Sequence, residues 1–376
     1  MTAPRPQFDV AIVGAGIVGL GCALAAARRG LSVVVIDREQ RARGASVRNF
    51  GFVTVTGQDR DSVWPLARRA RDIWETVAPA AGIAVTQRGL WLVAQRPEAA
   101  AVLEAFMHSG MADGCRLLTA GEARRRCPEL ATPSLAAVLT SPHELRVESR
   151  EALPALAAWL ARAHGVEFRW QTAVLAVDPP SIATARGTIA AQSAIVCPGD
   201  ELATLYPERL AAAGITRCTL QMLRLESPGF TLPGTLMADL SLVRYGGFSK
   251  LAAAAALQRR LLAEQPQCLE HGIHLIVAQS SDGSLVVGDS HHYDSATEPF
   301  AVELVDQLLL AEYRKVTGRQ APAVRERWTG RYTVAADRVL LVESVSPRVR
   351  LVVVTSGVGA STGFAIGEDV VAGLYN

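Results

Sequence analysis

Short runs of β-branched residues alternate along the chain with longer apolar stretches interrupted by polar residues. Near the start, FDVAIVG (residues 8–14) is a continuous apolar run of strand length, and LGCALAAARRG (residues 20–30) is an alanine-rich stretch typical of a helix. A second strand-like run, LSVVVID (residues 31–37), follows at once. Continuous apolar strands are typical of parallel sheets with both faces covered. The pattern predicts a βαβ unit.

Two later segments repeat this type of strand. AQSAIVCPGDE (residues 191–201) is an apolar run that breaks at Pro198 and Gly199. RLVVVTSGVGASTGFAIGEDVVAGL (residues 350–374) predicts a strand, a glycine-rich turn and a helix whose N-terminus lies near Ala360. We expect both segments to extend the first sheet.

The two intervening regions have a different pattern, with shorter strands and turn residues between them. GLWLVAQ (residues 89–95) and AAVLTSP (residues 136–142) in the first region, and CTLQMLRLES (residues 218–227) in the second, predict strands. GIHLIVAQSSDGSLVVGDS (residues 272–290) predicts a hairpin that turns at SDGS. The predicted fold class is therefore α/β, with a Rossmann-like domain and a second domain built on an antiparallel sheet.

The turn after the first predicted strand is GAGIVG, residues 14–19, which has the GxGxxG spacing of dinucleotide-binding units. Gly14 permits the tight turn, Gly16 lets backbone approach a pyrophosphate, and Gly19 permits close packing of helix on strand. The helix N-terminus then offers free N–H groups to the phosphates. Asp37, at the end of the second strand, can accept ribose hydroxyls and disfavours NADP. NAD and FAD both remain possible from this unit alone.

Residues 10–27 carry no charge and approach the length of a membrane span. Their glycine spacing favours the dinucleotide-binding turn, and we expect no membrane association. The segment MTAPRPQ lacks the features of a secretion signal, so a cytoplasmic location is expected.

The composition is that of a folded protein, with 49% hydrophobic and 20% charged residues in 376 positions. The net charge of +2 gives no broad field for nucleic acid, which we therefore exclude as a partner. All basic residues except Lys250 and Lys315 are arginine, so a single arginine carries weight only by its position. Six scattered cysteines without CxxC spacing indicate neither disulfides nor a zinc site.

Four segments, in order along nearly the whole chain, resemble the FAD-dependent D-amino-acid, glycine and sarcosine oxidases. They are GAGIVG with Asp37, the GAS turn at residues 44–46, the IVCPGD strand end and the C-terminal SGVGASTGF. The resemblance implies FAD as the cofactor, with the C-terminal helix directed at the flavin, where negative charge develops on reduction. Sarcosine oxidases attach FAD through a cysteine that GRYTVAADR (residues 330–338) lacks, so the FAD is expected to be noncovalent.

On this resemblance both domains are discontinuous. The FAD-binding domain is predicted to contain residues 1–85, 145–215 and 325–376, and the substrate domain residues 86–144 and 216–324. The implied cofactor-binding residues are Gly14, Gly16, Ile17, Val18, Gly19, Asp37, Arg38, Ser46, Val174, Pro198, Gly199, Gly357, Gly359, Ala360, Ser361 and Thr362.

One position departs from the family pattern. In glycine and D-amino-acid oxidases an arginine two residues after the glycine of W-x-G holds the substrate carboxylate, whereas RWTGRYTV places Tyr332 there. Arg331 points to the opposite face of a strand and is not expected to replace it. An ordinary α-amino acid is therefore a doubtful substrate.

GASVRNFGF, LQMLR, GDSHHY and TSGVGASTGF together resemble a subgroup of these enzymes associated with bacterial aminophosphonate breakdown. The implied reaction oxidises the C–N bond of a 2-aminoethylphosphonate-like amine, in particular an N-methylated one, to phosphonoacetaldehyde, ammonia or methylamine, and hydrogen peroxide. The implied partners are thus a small amine and oxygen. A phosphonate needs several hydrogen-bond donors in three dimensions. The candidate substrate-binding residues are Arg48, Asn49, Tyr245, His291 and Tyr332.

Alternatives remain for both function and site. The rival functions are a secondary-amine or amino-acid oxidase acting on sarcosine- or glycine-like carboxylates, a flavin dehydrogenase with another acceptor, and a flavin-binding protein without turnover. Arg48 could instead serve the cofactor or form a salt bridge, and Tyr245 could be core packing. Two histidine pairs, His271 with His274 and His291 with His292, are possible metal ligands, but no third ligand is indicated and we expect no metal. No catalytic acid or base is indicated.

Overall fold

The computed structural model describes residues 7–294 and 300–376, and within them the chain forms two large sheets. The first contains β1 (Phe8–Val13), β2 (Val33–Ile36), β7 (Glu167–Arg169), β8 (Val174–Asp178), β9 (Ser181–Thr184), β10 (Gly187–Val196), β17 (Leu340–Ser346) and β18 (Val349–Val354). The second contains β3 (Phe52–Val53), β4 (Val85–Ala94), β5 (Arg116–Thr119), β6 (Ala137–Val147), β11 (Thr216–Leu225), β12 (Thr235–Ala238), β13 (Ile276–Gln279), β14 (Leu285–Gly288), β15 (His292–Asp294) and β16 (Val324–Val334).

Helices cover the sheets and connect their strands. They are α1 (Ile17–Arg28), α2 (Trp64–Ala80), α3 (Pro97–Met107), α4 (Ala120–Arg126), α5 (Ser149–His164), α6 (Pro207–Ala212), α7 (Asp239–Leu242), α8 (Gly246–Ser249), α9 (Ala254–Glu264), α10 (Pro266–Glu270), α11 (Glu303–Thr317) and α12 (Gly359–Tyr375). A single 3₁₀ turn spans Ala45–Val47.

The first sheet confirms the predicted βαβ unit. Strands β18, β10, β1, β2 and β7 lie side by side and run parallel, and β17 closes one edge antiparallel to β18. Every residue of β2 is buried, as expected for a strand covered on both faces. Because β1 and β18 run in the same direction, the helices that follow them, α1 and α12, begin at the same edge of the sheet.

Helices α1 and α12 pack closely through glycine. A Cβ on Gly21 would lie 2.4 Å from the carbonyl oxygen of Gly363, and one on Gly367 would lie 2.3 Å from the backbone of Gly21. Both distances are far shorter than any real contact, so only glycine permits this approach. The two helices therefore hold their N-termini beside one another.

The second sheet is mixed, whereas an antiparallel sheet was predicted. Strand β12 pairs with β4 in parallel, because the long connection between them lets β12 enter in either direction. The predicted hairpin is present, with β13 and β14 antiparallel around the turn at residues 281–284. Strand β16 pairs along its length with β11 in this sheet, although the boundary expected at residue 325 assigned it to the first domain.

None of the helices described is both long enough and apolar enough to span a bilayer. The uncharged stretch at residues 10–27 instead supplies β1, the turn and most of α1. All six cysteines are buried and free.

Candidate active site

A cavity of about 500 Å³ lies where the two sheets meet. Its first wall is formed by the turn into α1, residues 16–19, and by the N-terminus of α12, residues 359–361. Its second wall is formed by side chains of the second sheet and of the segment after α7. We call these walls the cofactor wall and the substrate wall.

The glycines of GAGIVG build the start of the cofactor wall. Gly14 has φ +103°, and a Cβ there would lie 2.3 Å from the carbonyl oxygen of Cys197. Gly16 precedes α1 without a side-chain cap, and the N–H of Ile17 donates to Ser46 Oγ at 3.0 Å. Gly16, Ile17, Val18, Gly19 and Ser46 all line the cavity. The uncapped N-terminus of α1 is thus directed at the cavity, as an anion site requires.

Asp37 lies at the end of β2, beside the glycine turn. Its Oδ2 accepts from the N–H of Ala15 at 2.7 Å and its Oδ1 from the N–H of Glu39 at 2.8 Å. Burial raises the pKa of Asp37 despite these two hydrogen bonds. The carboxylate is fixed in place and only partly exposed, which fits a ribose-binding position.

Six of the predicted cofactor residues lie outside the cavity lining: Gly14, Asp37, Arg38, Val174, Pro198 and Thr362. The side chain of Arg38 is exposed to solvent. Val174 begins β8 and its side chain is buried in the core beneath the first sheet, so only its backbone could reach a cofactor. Both assignments remain predictions.

The N-terminus of α12 forms the other end of the cofactor wall. Gly357, Gly359, Ala360 and Ser361 line the cavity, while Thr362 is buried just behind them. No side chain caps this helix. Its 17 residues give a dipole whose positive end faces the cavity and suits a group that gains negative charge.

Gly199 also lines the cavity, and Pro198 precedes it at the end of β10. The neighbouring Asp200 forms an ion pair with Arg331 at 3.1 Å. Arg331 and Tyr332 both line the cavity. The charge of Arg331 is matched by Asp200, and the expectation that Arg331 does not replace the family arginine stays a prediction.

Arg48 and Asn49 both line the cavity, but their side chains differ in what they can offer a ligand. Arg48 is partly exposed, and its Nε donates to the carbonyl oxygen of Arg43 at 2.8 Å. Its remaining N–H groups can still face the cavity.

Asn49 is hydrogen-bonded within its own loop. Its Nδ2 donates to the carbonyl oxygen of Ala45, and its Oδ1 accepts from the N–H of Gly51 and from Ser149 Oγ. These bonds hold the loop and leave one N–H of the amide for a ligand, so the assignment of Asn49 as a substrate ligand stays a prediction.

Tyr332 and Tyr245 lie on the substrate wall. The ring of Tyr332 packs on Gly357, where a Cβ would lie 3.0 Å from it, so this tyrosine joins the two walls. The ring of Tyr245 meets His274 edge-on at 5.5 Å. Burial raises the pKa of both tyrosines, so each hydroxyl keeps its proton and can donate.

Arg244 is a substrate-wall residue that the sequence analysis missed. It follows α7 directly, lines the cavity and donates from Nη2 to the hydroxyl of Tyr293 at 2.9 Å. A guanidinium stays charged at any physiological pH. The adjacent Tyr245 was selected, but among so many arginines nothing in the local sequence distinguished Arg244.

Three further residues meet on the substrate wall. His274 Nε2 lies 3.2 Å from Asp289 Oδ1, and His291 Nε2 lies 3.6 Å from Asp289 Oδ2. All three are buried and line the cavity. We call them the Asp289 cluster. The sequence analysis named both histidines but missed the third residue, because a lone acid after a strand carries no signal.

The two histidine pairs of the sequence are divided between two sites. His291 stacks on His274 at 5.0 Å, whereas His292 and His271 meet on the other side, with 3.0 Å between Nε2 and Nδ1. Adjacent residues of a strand thus diverge as expected. The ligand atoms of His274, Asp289 and His291 nevertheless lie close enough together to hold a metal ion. The prediction of no metal rested on the lack of a third ligand, and Asp289 corrects that premise.

The comparisons with known proteins agree with this architecture. The model of a family described as FAD dependent oxidoreductase matches residues 9–372. Glycine oxidase of Geobacillus kaustophilus (strain HTA426) is 27% identical over 209 residues, which are 51% of this chain and 55% of the relative. The chain therefore spans about half the length of this curated relative.

Solved structures show the same fold. L-proline dehydrogenase from P. horikoshii superposes with a TM-score of 0.76 at 16% identity, covering 98% of this chain and 93% of that one. L-α-glycerophosphate oxidase from Mycoplasma pneumoniae, with FAD bound, gives 0.73 at 17% identity, covering 98% and 94%.

The fold and cofactor wall define a two-domain protein of the dinucleotide-binding class. Specifically, the chain belongs to the family of FAD-dependent oxidoreductases. The residues present fit FAD for two reasons. The N-termini of α1 and α12, which have no N-cap side chain, border the cavity. The turn into α1 is built from glycines, where an added Cβ atom would clash with the neighbouring chain. The turn into α1 and Asp37 would hold the pyrophosphate and ribose, and the N-terminus of α12 would face the flavin.

Proposed function

We propose that the protein oxidises the C–N bond of a small amine that carries an anionic group, and that the anion is a phosphonate. The observation that carries this proposal is Arg244, a fixed cation on the substrate wall directly beside the cavity. It supplies the positive charge that this chain lacks at Tyr332, where the family pattern has an arginine. Bound FAD would accept the hydride from the carbon next to nitrogen.

The donors around Arg244 favour a phosphonate over a planar carboxylate. Tyr245, Tyr293 and Tyr332 line the same cavity, and their hydroxyls approach from different elements of the chain. Arg48 adds a second cation from the loop after β2. A tetrahedral anion with three oxygens can use donors from several directions, whereas a carboxylate is served by one planar fork.

The proposed substrate is thus a 2-aminoethylphosphonate-like amine, in particular its N-methyl form. With water and oxygen, its oxidation gives phosphonoacetaldehyde, ammonia or methylamine, and hydrogen peroxide. The chain's own part is to bind the anion at Arg244, to orient the carbon toward the cofactor wall and to exclude water. We propose a single small-molecule substrate per cavity and no metal requirement.

A second candidate is oxidation of a sarcosine- or glycine-like carboxylate. It is favoured by the similarity to glycine oxidase over about half of the chain. Arg244 could hold a carboxylate from a different position than the family arginine does.

An anaerobic titration separates these candidates. The visible spectrum of the flavoprotein would be recorded while 2-aminoethylphosphonate, its N-methyl derivative, sarcosine and glycine are added in turn. We expect bleaching by the phosphonates. Bleaching by sarcosine or glycine alone would support the carboxylate candidate, and a protein bleached by none would contradict amine oxidation.

Peroxide yield then identifies the electron acceptor. One peroxide per aldehyde on readmitting air supports an oxidase. Bleaching without peroxide indicates a dehydrogenase that passes electrons to another acceptor.

A further inference from the structure

The Asp289 cluster contains a carboxyl group between two buried histidines, and its hydrogen-bonding pattern points to a different task from that of Arg244. His291 Nδ1 lies 2.9 Å from the carbonyl oxygen of Gly272. A carbonyl oxygen only accepts, so Nδ1 must carry the proton. Burial holds the pKa of His291 well below its usual value, so the ring is neutral and Nε2 is left with a lone pair.

This lone pair faces the carboxyl group of Asp289. His291 Nε2 and Asp289 Oδ2 are 3.6 Å apart, and both are acceptors when Asp289 is ionised. A proton on Oδ2 would turn the contact into a hydrogen bond once the two atoms approach by about half an ångström. A proton taken up by Asp289 Oδ2 therefore has an acceptor in His291 Nε2.

The surrounding groups act on the pKa of Asp289 in opposite directions. Burial raises the pKa of Asp289 to about 7, while the charge of Arg244 acts in the opposite direction. His274 is neutral because burial lowers its pKa, and its Nδ1 is buried without a hydrogen-bond partner among the described residues. Tyr245 also faces the cluster and keeps its proton.

We propose that Asp289, supported by His291, accepts the proton that the substrate's ammonium group must lose before its C–N bond can be oxidised. This inference rests on the proposed function. The N–H bond of the ammonium breaks and its electron pair stays on nitrogen. An O–H bond forms on Asp289 and donates to His291 Nε2. The proton leaves to water before the next turnover.

The same wall then recognises both ends of a zwitterion. Arg244 takes the anionic group and Asp289 takes the ammonium, and both line one cavity. A neutral amine has the lone pair that assists hydride removal from the neighbouring carbon. The arrangement selects amines that arrive charged, which is their usual form at neutral pH.

The first test is the pH profile of the wild-type holoenzyme with 2-aminoethylphosphonate, or with sarcosine if that is the compound that bleaches it. Asp289 accepts a proton only when ionised, so kcat/KM should rise with pH through about 7. A rise near pH 10, the usual range of a free alkyl ammonium, would show that the substrate loses its proton unaided and would overturn the inference.

The second test uses Asp289→Asn, which keeps the size of the side chain and removes the base. At pH 8 only about one amine molecule in a hundred is neutral, so kcat/KM should fall roughly a hundredfold and the rise should move to about pH 10. Asp289→Glu should restore the rise near neutral pH. Asp306→Asn, which alters a buried carboxylate outside the cavity lining, should leave the profile unchanged.

Binding of ethylphosphonate, which lacks the amine, gives a readout that is independent of turnover. Its Kd, measured from the shift of the flavin spectrum, should be the same in the wild type and in Asp289→Asn. A loss of ethylphosphonate binding in the variant would place Asp289 in the anion site and overturn the inference.

Three further outcomes have separate meanings. If no amine bleaches the wild type, the proposed function and this inference both fail. If amines bleach the wild type and Asp289→Asn alike with one pH profile, only the inference fails. One equivalent of metal in the purified holoenzyme, lost in Asp289→Asn, would make the cluster a metal centre and overturn the inference.

Discussion

The two walls of the cavity are built in different ways. The cofactor wall consists mainly of backbone: Gly16 and Gly19, supported by the turn at Gly14, and the N–H groups that begin α1 and α12. The substrate wall consists of charged and aromatic side chains, with Arg244 and Asp289 as its two charged ends. Backbone donors suit a ligand that is always the same, whereas side chains can be exchanged to suit different substrates.

The two walls therefore differ in the substitutions that they tolerate. A change in the cofactor wall alters the path of the chain itself. A change in the substrate wall removes one group and leaves the fold in place.

Gly14→Ala should abolish FAD retention. The residue has φ +103°, and a Cβ would lie 2.3 Å from the Cys197 carbonyl oxygen. The strain of about 1–2 kcal/mol for positive φ is added to a clash with backbone. The measurement is the ratio of flavin absorbance to protein. Gly30→Ala is the matched control, because Gly30 also has positive φ but has nothing within 4 Å of its Cβ position. Equal flavin content in both variants would contradict the prediction.

Arg244→Gln should lower kcat/KM for the anionic amine while flavin content stays the same. Removing a buried charge from its partner costs about 2–5 kcal/mol, which corresponds to roughly 30- to 5000-fold. Steady-state kinetics measure the effect. Arg260→Gln, on the exposed side of α9, serves as the control. Unchanged kinetics in Arg244→Gln would mean that the anion is held elsewhere.

Asn49→Ala should affect stability more than substrate binding. It leaves the loop partners Ala45, Gly51 and Ser149 without their hydrogen bonds, at a cost of about 1–3 kcal/mol. Thermal unfolding of the holoenzyme measures the loss as a lower Tm. A raised KM with an unchanged Tm would restore Asn49 as a substrate ligand.

Arg48→Ala should have the smallest effect of the four. The side chain is partly exposed, so solvent screens its charge. Its loss should weaken substrate binding by up to about 1 kcal/mol, which corresponds to a KM about fivefold higher. Flavin content should not change. Release of flavin from the variant would assign Arg48 to the cofactor wall instead.

The segments of the cofactor wall can be found in the sequence because they are local. GAGIVG, Ser46, Gly199 and the turn before α12 each lie in a short segment whose strand, turn and helix can be recognised separately, and each of them contributes to the cavity lining. Parallel strands bring these segments to one edge of the sheet. Val174 and Arg38 lie outside the lining, and similarity of a segment does not show which way a side chain points, so their assignment stays a prediction.

The substrate wall was harder to predict because strand register assembles it. Arg244, His274 and Asp289 come from three parts of the chain. The pairing of β13 with β14 brings His274 beside Asp289, and the pairing of β12 with β13 brings in the segment that continues through α7 to Arg244. Asn49 shows a related difficulty, because the sequence does not distinguish a polar side chain that is hydrogen-bonded within its own loop from one that binds a ligand.

The glycine contacts between α1 and α12 have a consequence for biosynthesis. Gly21 meets Gly363 and Gly367, so the helix that starts the cofactor wall is braced by one made more than 300 residues later. Domains generally fold during translation as their segments emerge from the ribosome. We therefore expect stable flavin retention only after residues 359–367 have been synthesised and have packed on α1.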